Sequence, residues 1–396
     1  MPEAATSTND PAREPAPGNS QLLTVVLFIG FIATGAATVL LSPLLPLLSA
    51  KWSLSDQNAG ALFTCQFLGS MLGTLVSGPL IRRIGFGKTL FSGYLLMGLY
   101  VVEVWRTPWP WLAAAAFVNG IGLGLVIPAT NMAISDAFPN RRASALNLLN
   151  LFWSAGAIVC PTLLAAATRT GQLVMGLSAI AVLLFAVALL ALRSRGGRLA
   201  TETKQGTGNS SRVAFVVLAA LFFLYIGSEA AVAGWLATYA KRTVLSSGVL
   251  WMTAPSFFWT AMLLGRALAP VVLRKVSENI VSSSGLVLSA AGIVTILLGT
   301  SPIAVLGGAA LSGLGMSSVF PIFIAMVSHL FGEGATRVSS YMFAMAALGG
   351  AVLPWLVGTI SSHTGKLQIG LIVAFAGTLV QVTLLLAVRT NPPEHN

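Results

Sequence analysis

Residues 120–128 read Gly-Ile-Gly-Leu-Gly-Leu-Val-Ile-Pro, and residues 313–321 read Gly-Leu-Gly-Met-Ser-Ser-Val-Phe-Pro. Both stretches lie inside long apolar runs. Other residues recur at nearly the same offset and in the same order: Gly35 with Gly227, Gly73 with Gly265, Gly156 with Gly349, and Pro161 with Pro354. A match in register across four apolar runs indicates an internal duplication, which is the first feature to seek in a sequence.

The composition is that of a membrane protein. Hydrophobic residues make up 56% of the 396 residues and charged residues only 8%, against roughly 25% charged residues in an ordinary globular chain. The apolar runs reach about 20 residues, the length that crosses a bilayer as a helix. The net charge is +11, but the basic residues lie in short gaps between apolar runs, so no nucleic-acid partner is expected.

The pattern predicts an all-α membrane protein with twelve transmembrane helices in two pseudo-symmetric six-helix bundles. The predicted spans are residues 22–48, 57–80, 89–106, 110–134, 145–168, 172–192, 213–239, 248–272, 280–300, 303–328, 338–361 and 369–388.

The basic residues predict the orientation in the membrane. With the N-terminus in the cytoplasm, fifteen of the 22 Lys and Arg residues fall in cytoplasmic segments, six fall outside, and Arg266 lies within a span. Because cytoplasmic loops are enriched in Lys and Arg, we expect a multi-pass protein of the cell inner (plasma) membrane with both termini cytoplasmic. The predicted domains are a disordered cytoplasmic tail (1–20), an N-terminal bundle (21–192), a cytoplasmic linker (193–212), a C-terminal bundle (213–390) and a second cytoplasmic tail (391–396). We expect a monomer.

The stretch Gly78-Pro-Leu-Ile-Arg-Arg-Ile-Gly-Phe-Gly-Lys88 resembles the signature loop between the second and third helices of the major facilitator superfamily. The resemblance extends over essentially the whole chain. Arg82 stands where the signature has an acidic residue. The resemblance implies a transporter with a substrate cavity between its two halves, near the middle of the bilayer.

Three stretches resemble the fucose permease-related branch, the sugar/proton symporters: residues 120–131, residues 145–161, and Tyr225-Ile-Gly-Ser-Glu229 with Trp235. This narrower resemblance implies a monosaccharide substrate and coupling to protons. Sugar symporters of that branch carry coupling acids in their first and fourth helices, and this chain has none in either span.

Glu229 lies in the middle of the seventh span. An ionised carboxylate there is costly unless it is paired or hydrated, so we predict that Glu229 couples transport to protons. A hydrogen bond to substrate, a role in gating and a packing hydrogen bond remain as alternatives. Arg266 lies nearer the cytoplasmic end of its span, so a tight pair with Glu229 is not expected, and a gating role is predicted for Arg266.

Polar and aromatic side chains within the spans are candidates for lining a sugar-sized cavity. The substrate-binding candidates are Thr34, Thr38, Gln66, Asn119, Asn150, Trp153, Tyr225, Trp259, Phe323 and Tyr341. The gating candidates are Asn131, Asn147, Arg266 and Trp235. For each one the alternative is a structural role, because membrane helices hydrogen-bond to one another through such groups. Pro128, Pro161, Pro321 and Pro354 are expected to kink their helices.

The sequence favours a secondary active transporter that moves a small polar solute, a monosaccharide by first choice, by alternating access with proton coupling. The alternatives are an exporter of amphipathic organic compounds and a membrane receptor or sensor that does not transport. No cofactor, metal site or enzymatic activity is expected, because the spans hold no metal-binding cluster or nucleophile pair and the chain has no phosphate-binding loop.

Overall fold

The structure, a computed structural model, describes residues 17–138, 141–193 and 212–390. Every regular element within these residues is a helix, which confirms the all-α class. The thirteen α-helices are α1 (Pro17–Val39), α2 (Leu41–Trp52), α3 (Asp56–Glu103), α4 (Trp111–Ala137), α5 (Arg142–Arg169), α6 (Leu173–Arg193), α7 (Arg212–Thr243), α8 (Ala254–Val272), α9 (Glu278–Leu298), α10 (Pro302–Met316), α11 (Val319–Phe331), α12 (Ala335–Thr364) and α13 (Leu367–Thr390). Short 3₁₀ segments, Leu250–Thr253 and Gly332–Gly334, precede α8 and α12.

These helices make twelve crossings of the membrane, as predicted. Helices α1 and α2 together form the first crossing, and α10 and α11 form the tenth. Helix α3 has 48 residues, about 72 Å at the rise of an α-helix, which is two crossings. The two parts of α3 meet at Gly85, where φ is 84°, a left-handed conformation that glycine adopts without strain.

The outer surface of the bundle is apolar. Large side chains such as Leu75, Val182 and Ile303 are 66%, 65% and 84% exposed. Eleven helical segments in the described part of the chain are long and apolar enough to cross a membrane, with α3 counted once. An apolar exterior of this kind is suited to lipid rather than to water.

The duplicated glycines lie at equivalent close contacts in the two halves. A Cβ atom on Gly120 in α4 would lie 2.0 Å from the carbonyl oxygen of Gln66 in α3. A Cβ atom on Gly313 in α10 would lie 2.1 Å from the carbonyl oxygen of Phe258 in α8. Each glycine therefore lets two helix backbones approach closely, as small residues do in membrane helices.

The predicted tails and linker mostly lie outside the described residues. Their undescribed parts are residues 1–16, 194–211 and 391–396. Helix α1 begins at Pro17, so its first turn falls within the tail predicted for residues 1–20.

We call the side of the membrane on which α1 begins and α13 ends the termini side, and the opposite side the far side.

Of the four prolines expected to kink a helix, Pro321 follows an interruption between α10 and α11 at residues 317–318. The proline lacks the N–H that would donate to the carbonyl of residue 317. Helices α4, α5 and α12 continue through Pro128, Pro161 and Pro354.

Candidate functional site

A charged cluster joins the two halves on the far side. Arg242 at the end of α7 donates two hydrogen bonds to the carboxylate of Asp56 at the start of α3, at 2.7 and 2.6 Å. The Ser361 hydroxyl of α12 donates to the same carboxylate. The Ser362 hydroxyl accepts from the backbone N–H of Gln57 at 2.8 Å. We call Asp56, Arg242 and Ser361 the far-side latch, because they tie α3 of the first half to α7 and α12 of the second.

Further contacts between the halves continue from the latch toward the middle of the membrane. The Ser42 hydroxyl of α2 donates to the carbonyl of Ala233 in α7 at 2.6 Å. The Thr64 hydroxyl of α3 donates to the carbonyl of Ala351 in α12 at 2.7 Å. The Ser256 hydroxyl of α8 donates to a carbonyl of α5 at 2.8 Å. The halves are therefore packed together over the far-side part of the membrane.

Two tryptophans lie at the inner limit of this packed region. Trp153 of α5 and Trp259 of α8 meet edge to face, with ring centroids 5.3 Å apart. Trp259 is 7% exposed, and its indole N–H has no hydrogen-bond partner among the described residues. An aromatic pair from opposite halves, with a free buried donor, is suited to contact a polar ligand in the central space.

The termini side is the more open one. The Asn147 and Asn150 side chains of α5 and the Tyr341 side chain of α12 are exposed there. In the described part of the chain, the packing between the halves involves mainly α3 with α12, α5 with α8 and α2 with α7, through the far-side contacts given above. We call the region between the halves on the termini side, below Trp153 and Trp259, the vestibule.

Glu229 faces the interface between the halves. It lies four residues before Ala233, about 40° away around the helix, and the Ala233 carbonyl is bonded to α2 of the other half. The Glu229 side chain is partly exposed. One of its carboxylate oxygens, Oε2, is buried without a hydrogen-bond partner in the described residues. The coupling hypothesis requires this carboxyl group to reach the vestibule, and that stays a prediction.

Glu229, Tyr225 and Arg266 form a polar cluster at the break between α10 and α11. The buried Tyr225 hydroxyl donates to the carbonyl of Met316, the last residue of α10, at 2.9 Å. It also interacts with Glu229 and with Arg266. The charges of Glu229 and Arg266 act on one another, although the Arg266 Nε atom is buried without a hydrogen-bond partner in the described residues.

The expectation that Glu229 and Arg266 lie at different depths is wrong. Counted from the far-side ends of their helices, Glu229 is 14 residues from Thr243 and Arg266 is 12 residues from Ala254, or about 21 and 18 Å. The sequence analysis judged depth from the cytoplasmic ends of the spans, and α7 extends farther than α8 on that side. The two charged groups therefore share one level of the membrane. No ion pair joins them in the described residues, so the expectation that they form no tight pair is confirmed.

The polar candidates of the first half mainly hydrogen-bond other helices or their own. The Gln66 amide donates to the Thr38 carbonyl at 3.1 Å, and the Asn119 amide donates to the Ala37 carbonyl at 3.3 Å and to Gln66 at 3.4 Å. These carbonyls lie at the end of α1, next to its junction with α2. The amides thus stabilise the kinked first crossing, which is the structural alternative stated for them. The Asn119 Oδ1 atom has no partner in the described residues.

Several other candidates bond within their own helix. Thr34 donates to the Gly30 carbonyl and Thr38 to the Thr34 carbonyl. Asn131 donates to the Ile127 carbonyl and Asn150 to the Leu146 carbonyl. Asn131 is partly buried near the termini end of α4, whereas Asn147 and Asn150 are exposed. The structure does not bring these side chains to the Tyr225–Glu229–Arg266 cluster.

The remaining aromatic candidates lie in the second half. Phe323 is fully buried and packs against Phe222 and Tyr225, with ring centroids 5.9 and 6.1 Å apart. Tyr341 lies on the second turn of α12 and packs against Phe215 at 6.0 Å. Trp235 is fully buried, donates to the Pro354 carbonyl at 2.9 Å and faces Phe63 of the first half at 6.2 Å. Its place in the packed far-side region is compatible with gating.

Sequence reasoning did not identify the far-side latch. Asp56 and Arg242 are 186 positions apart and each lies at a helix end, where charged residues are common. The one available signal was that Asp56 is an acidic residue in a predicted outer segment, which is otherwise basic. Only the packing of α3 against α7 and α12 shows that the two charges meet.

Two duplicated helical halves, packed against each other on the far side, are the architecture of a membrane carrier. The chain belongs to the Major Facilitator Superfamily, whose family model matches residues 27–354. It is 23% identical over 377 residues to the glucose/mannose transporter GlcP of Bacillus subtilis, covering 89% of this chain and 92% of that protein.

Two further likenesses are to a solved structure and to a second curated transporter. The Escherichia coli fucose:proton symporter FucP has a similar structure, with a TM-score of 0.62, 16% identity, and coverage of 93% of this chain and 99% of that chain. The 4-hydroxybenzoate transporter PcaK of Pseudomonas putida is 25% identical over 189 residues, which cover 46% of this chain and 42% of that protein. The resemblance to the major facilitator superfamily is thus confirmed, and transport is the function of the family.

Proposed function

We propose that this transporter moves a monosaccharide by alternating access and that Glu229 couples the movement to protons. The observation that carries the proposal is the mid-membrane carboxyl group of Glu229, one oxygen of which is buried without a hydrogen-bond partner in the described residues. A carboxylate inside a membrane protein is costly and marks an ion pathway or a proton relay. The similarity to GlcP supports the substrate class.

In the proposed cycle the structure is the state open to the termini side. Substrate binds between the halves below Trp153 and Trp259, and the halves rock about it so that the far-side latch opens. Release of a proton from Glu229 and its return from the other side would tie the two movements to the proton gradient. The bundles 21–192 and 213–390 are proposed to move as two bodies joined by the linker 193–212.

The proposed orientation has the termini side in the cytoplasm of a cell with the protein in its inner (plasma) membrane. The support is the excess of Lys and Arg in the termini-side segments, fifteen against six, since cytoplasmic loops carry the basic excess. We propose a monomer that needs no cofactor, nucleic acid or enzymatic activity for this role, because each chain contains both halves of the central site.

The second candidate is an exporter of amphipathic organic compounds. The observation in its favour is an aromatic cluster on α7, α11 and α12, formed by Phe222, Tyr225, Phe320, Phe323 and Phe343, whose rings lie 5.4–6.3 Å apart. Phe343 is 45% exposed. An aromatic surface next to a vestibule accommodates planar apolar rings as well as the apolar face of a sugar. The similarity to PcaK over part of the chain points the same way.

A ligand screen separates the two candidates. The purified protein is expected to gain thermal stability with glucose, mannose or fucose and not with 4-hydroxybenzoate, because a ligand that binds only the folded protein stabilises it by about 2.7 kcal/mol at one hundred times its dissociation constant. Each stabilising compound is then tested for counterflow in proteoliposomes. Stabilisation and counterflow with the aromatic acid alone would replace the sugar proposal with the second candidate.

A further inference from the structure

The break between α10 and α11 divides the tenth crossing into two parts with different surroundings. Helix α10 packs closely along α8 and α9, whereas α11 has looser contacts with α7, α9 and α12. A Cβ atom on Gly265 in α8 would lie 2.2 Å from the Ser317 hydroxyl, so α8 packs directly against the break. Helix α11 is therefore the less closely packed part, and the break at residues 317–318, which we call the hinge, separates it from α10.

Tyr225 contacts both sides of this hinge. Its hydroxyl holds the last carbonyl of α10, that of Met316, at 2.9 Å. Its ring packs against Phe320 and Phe323 of α11, with centroids 5.5 and 6.1 Å apart. A fully buried hydroxyl that holds one half-helix while its ring packs on the other can transmit a change at the hydroxyl into the angle of α11.

The hydroxyl also lies near two charged groups, Glu229 and Arg266. Glu229 is one turn after Tyr225 on the same face of α7, and Arg266 comes from α8 next to Gly265. Both charges act on the Tyr225 hydroxyl. The other helices that pack against α7 bring no ionisable group to this level: α10 has none, and those of α2, α11, α12 and α13 lie toward their ends, namely Lys51, His329, Arg337, Tyr341, His363 and Arg389.

We infer that Tyr225 is a positioning residue that couples the charge of Glu229 to the angle of α11, the termini-side half of the tenth crossing. A tyrosine hydroxyl has one proton to donate, and an ionised carboxylate accepts it more strongly than a carbonyl does. With Glu229 ionised, its carboxylate, beside the charge of Arg266, therefore competes with the Met316 carbonyl for the Tyr225 hydroxyl. When Glu229 takes a proton it no longer competes, Tyr225 donates to the Met316 carbonyl as in this structure, and the angle of α11 at the hinge changes with that bond.

This inference rests on the proposed proton coupling, so the test measures the two separately. In protein whose native Cys65 and Cys160 are replaced, spin labels are placed at the exposed positions Ser144 of α5 and Ser328 of α11. A second pair of labels, at Ser144 and at Ser284 of α9, measures the movement of the second half as a rigid body. Distance distributions are measured between pH 5 and pH 8.

In the otherwise unaltered protein, the α11 distance should shift with pH beyond the shift of the α9 distance, by up to about tenfold in population per pH unit for one linked proton. Tyr225→Phe keeps the ring and removes the hydroxyl, so the extra shift of α11 should fall below about twofold while the α9 shift remains. Tyr239→Phe is the matched control, because its hydroxyl donates to the Leu297 carbonyl of α9, away from the break. Arg266→Gln tests the same link from the other partner, and counterflow shows that each variant is folded.

If both Tyr225→Phe and Arg266→Gln keep the pH-dependent movement of α11, the inference is wrong and the proton coupling through Glu229 is unaffected. If neither distance responds to pH in the otherwise unaltered protein, or if Glu229→Gln keeps the response, the proposed coupling fails and the hinge inference fails with it.

Discussion

Replacing Glu229 with glutamine is expected to abolish proton-driven accumulation of substrate while leaving counterflow intact. Glutamine has the shape of the protonated carboxylic acid but cannot release a proton, so the carrier can still exchange substrate. At a membrane potential of about 100 mV, one proton supplies about 2.3 kcal/mol, which corresponds to a roughly fifty-fold concentration ratio. That ratio should fall to about one in the variant.

The measurement is uptake into proteoliposomes with an imposed proton gradient, compared with counterflow in the same preparation without one. Glu229→Asp serves as the control, because it keeps an ionisable group within reach of Tyr225 and should retain part of the accumulation. Accumulation by Glu229→Gln at the level of the original protein would show that the coupling group lies elsewhere.

Removing one charge of the far-side latch is expected to shift the carrier toward the state open on the far side. Asp56 accepts from both Arg242 and Ser361, and its side chain is 11% exposed against 43% for Arg242. Because one partner is well exposed, the contribution lies between that of a surface pair and that of a buried one, about 1–2 kcal/mol. This corresponds to roughly a tenfold change in the conformational equilibrium.

Asp56→Asn and Arg242→Gln should each produce this shift, seen as increased labelling of a far-side cysteine or as a longer distance between labels on the far side. Lys241→Gln is the matched control: it removes the same charge from the adjacent position, where Lys241 lies against Trp251 of the same half. The exchanged pair Asp56→Arg with Arg242→Asp should recover much of the original equilibrium. An exchanged pair that behaves as the sum of its single changes would show that the two charges are not coupled.

The repeat and the number of crossings were predictable because close packing of helices requires glycine at particular positions, and the pattern of these glycines is visible in the sequence. A position such as Gly120 or Gly313, where a side chain would meet a neighbouring backbone, accepts only glycine, and the duplication places such positions at one offset. The break at the tenth crossing was likewise indicated by Pro321. Glu229 could be selected as a candidate for proton coupling because a charged residue in the middle of an apolar run has few structural explanations.

Contacts between distant segments were not predictable in the same way. Glu229 and Arg266 were assigned different depths because the count started from helix ends that do not lie level. The hydrogen bonds of Gln66 and Asn119 to the Thr38 and Ala37 carbonyls were not predictable, because nothing local shows that the first crossing bends and leaves those carbonyls for them. The pairing of Asp56 with Arg242 depends entirely on how the two halves pack.

The central claim is that Glu229 faces an aqueous vestibule between the halves, and its accessibility tests this most directly. In protein without Cys65 and Cys160, Glu229→Cys is treated in sided vesicles with a thiol reagent that cannot cross the membrane. We predict modification from the termini side and protection by bound substrate, with Ser144→Cys as the accessible reference. An unreactive cysteine at position 229 from both sides, in vesicles where Ser144→Cys reacts fully, would contradict the claim.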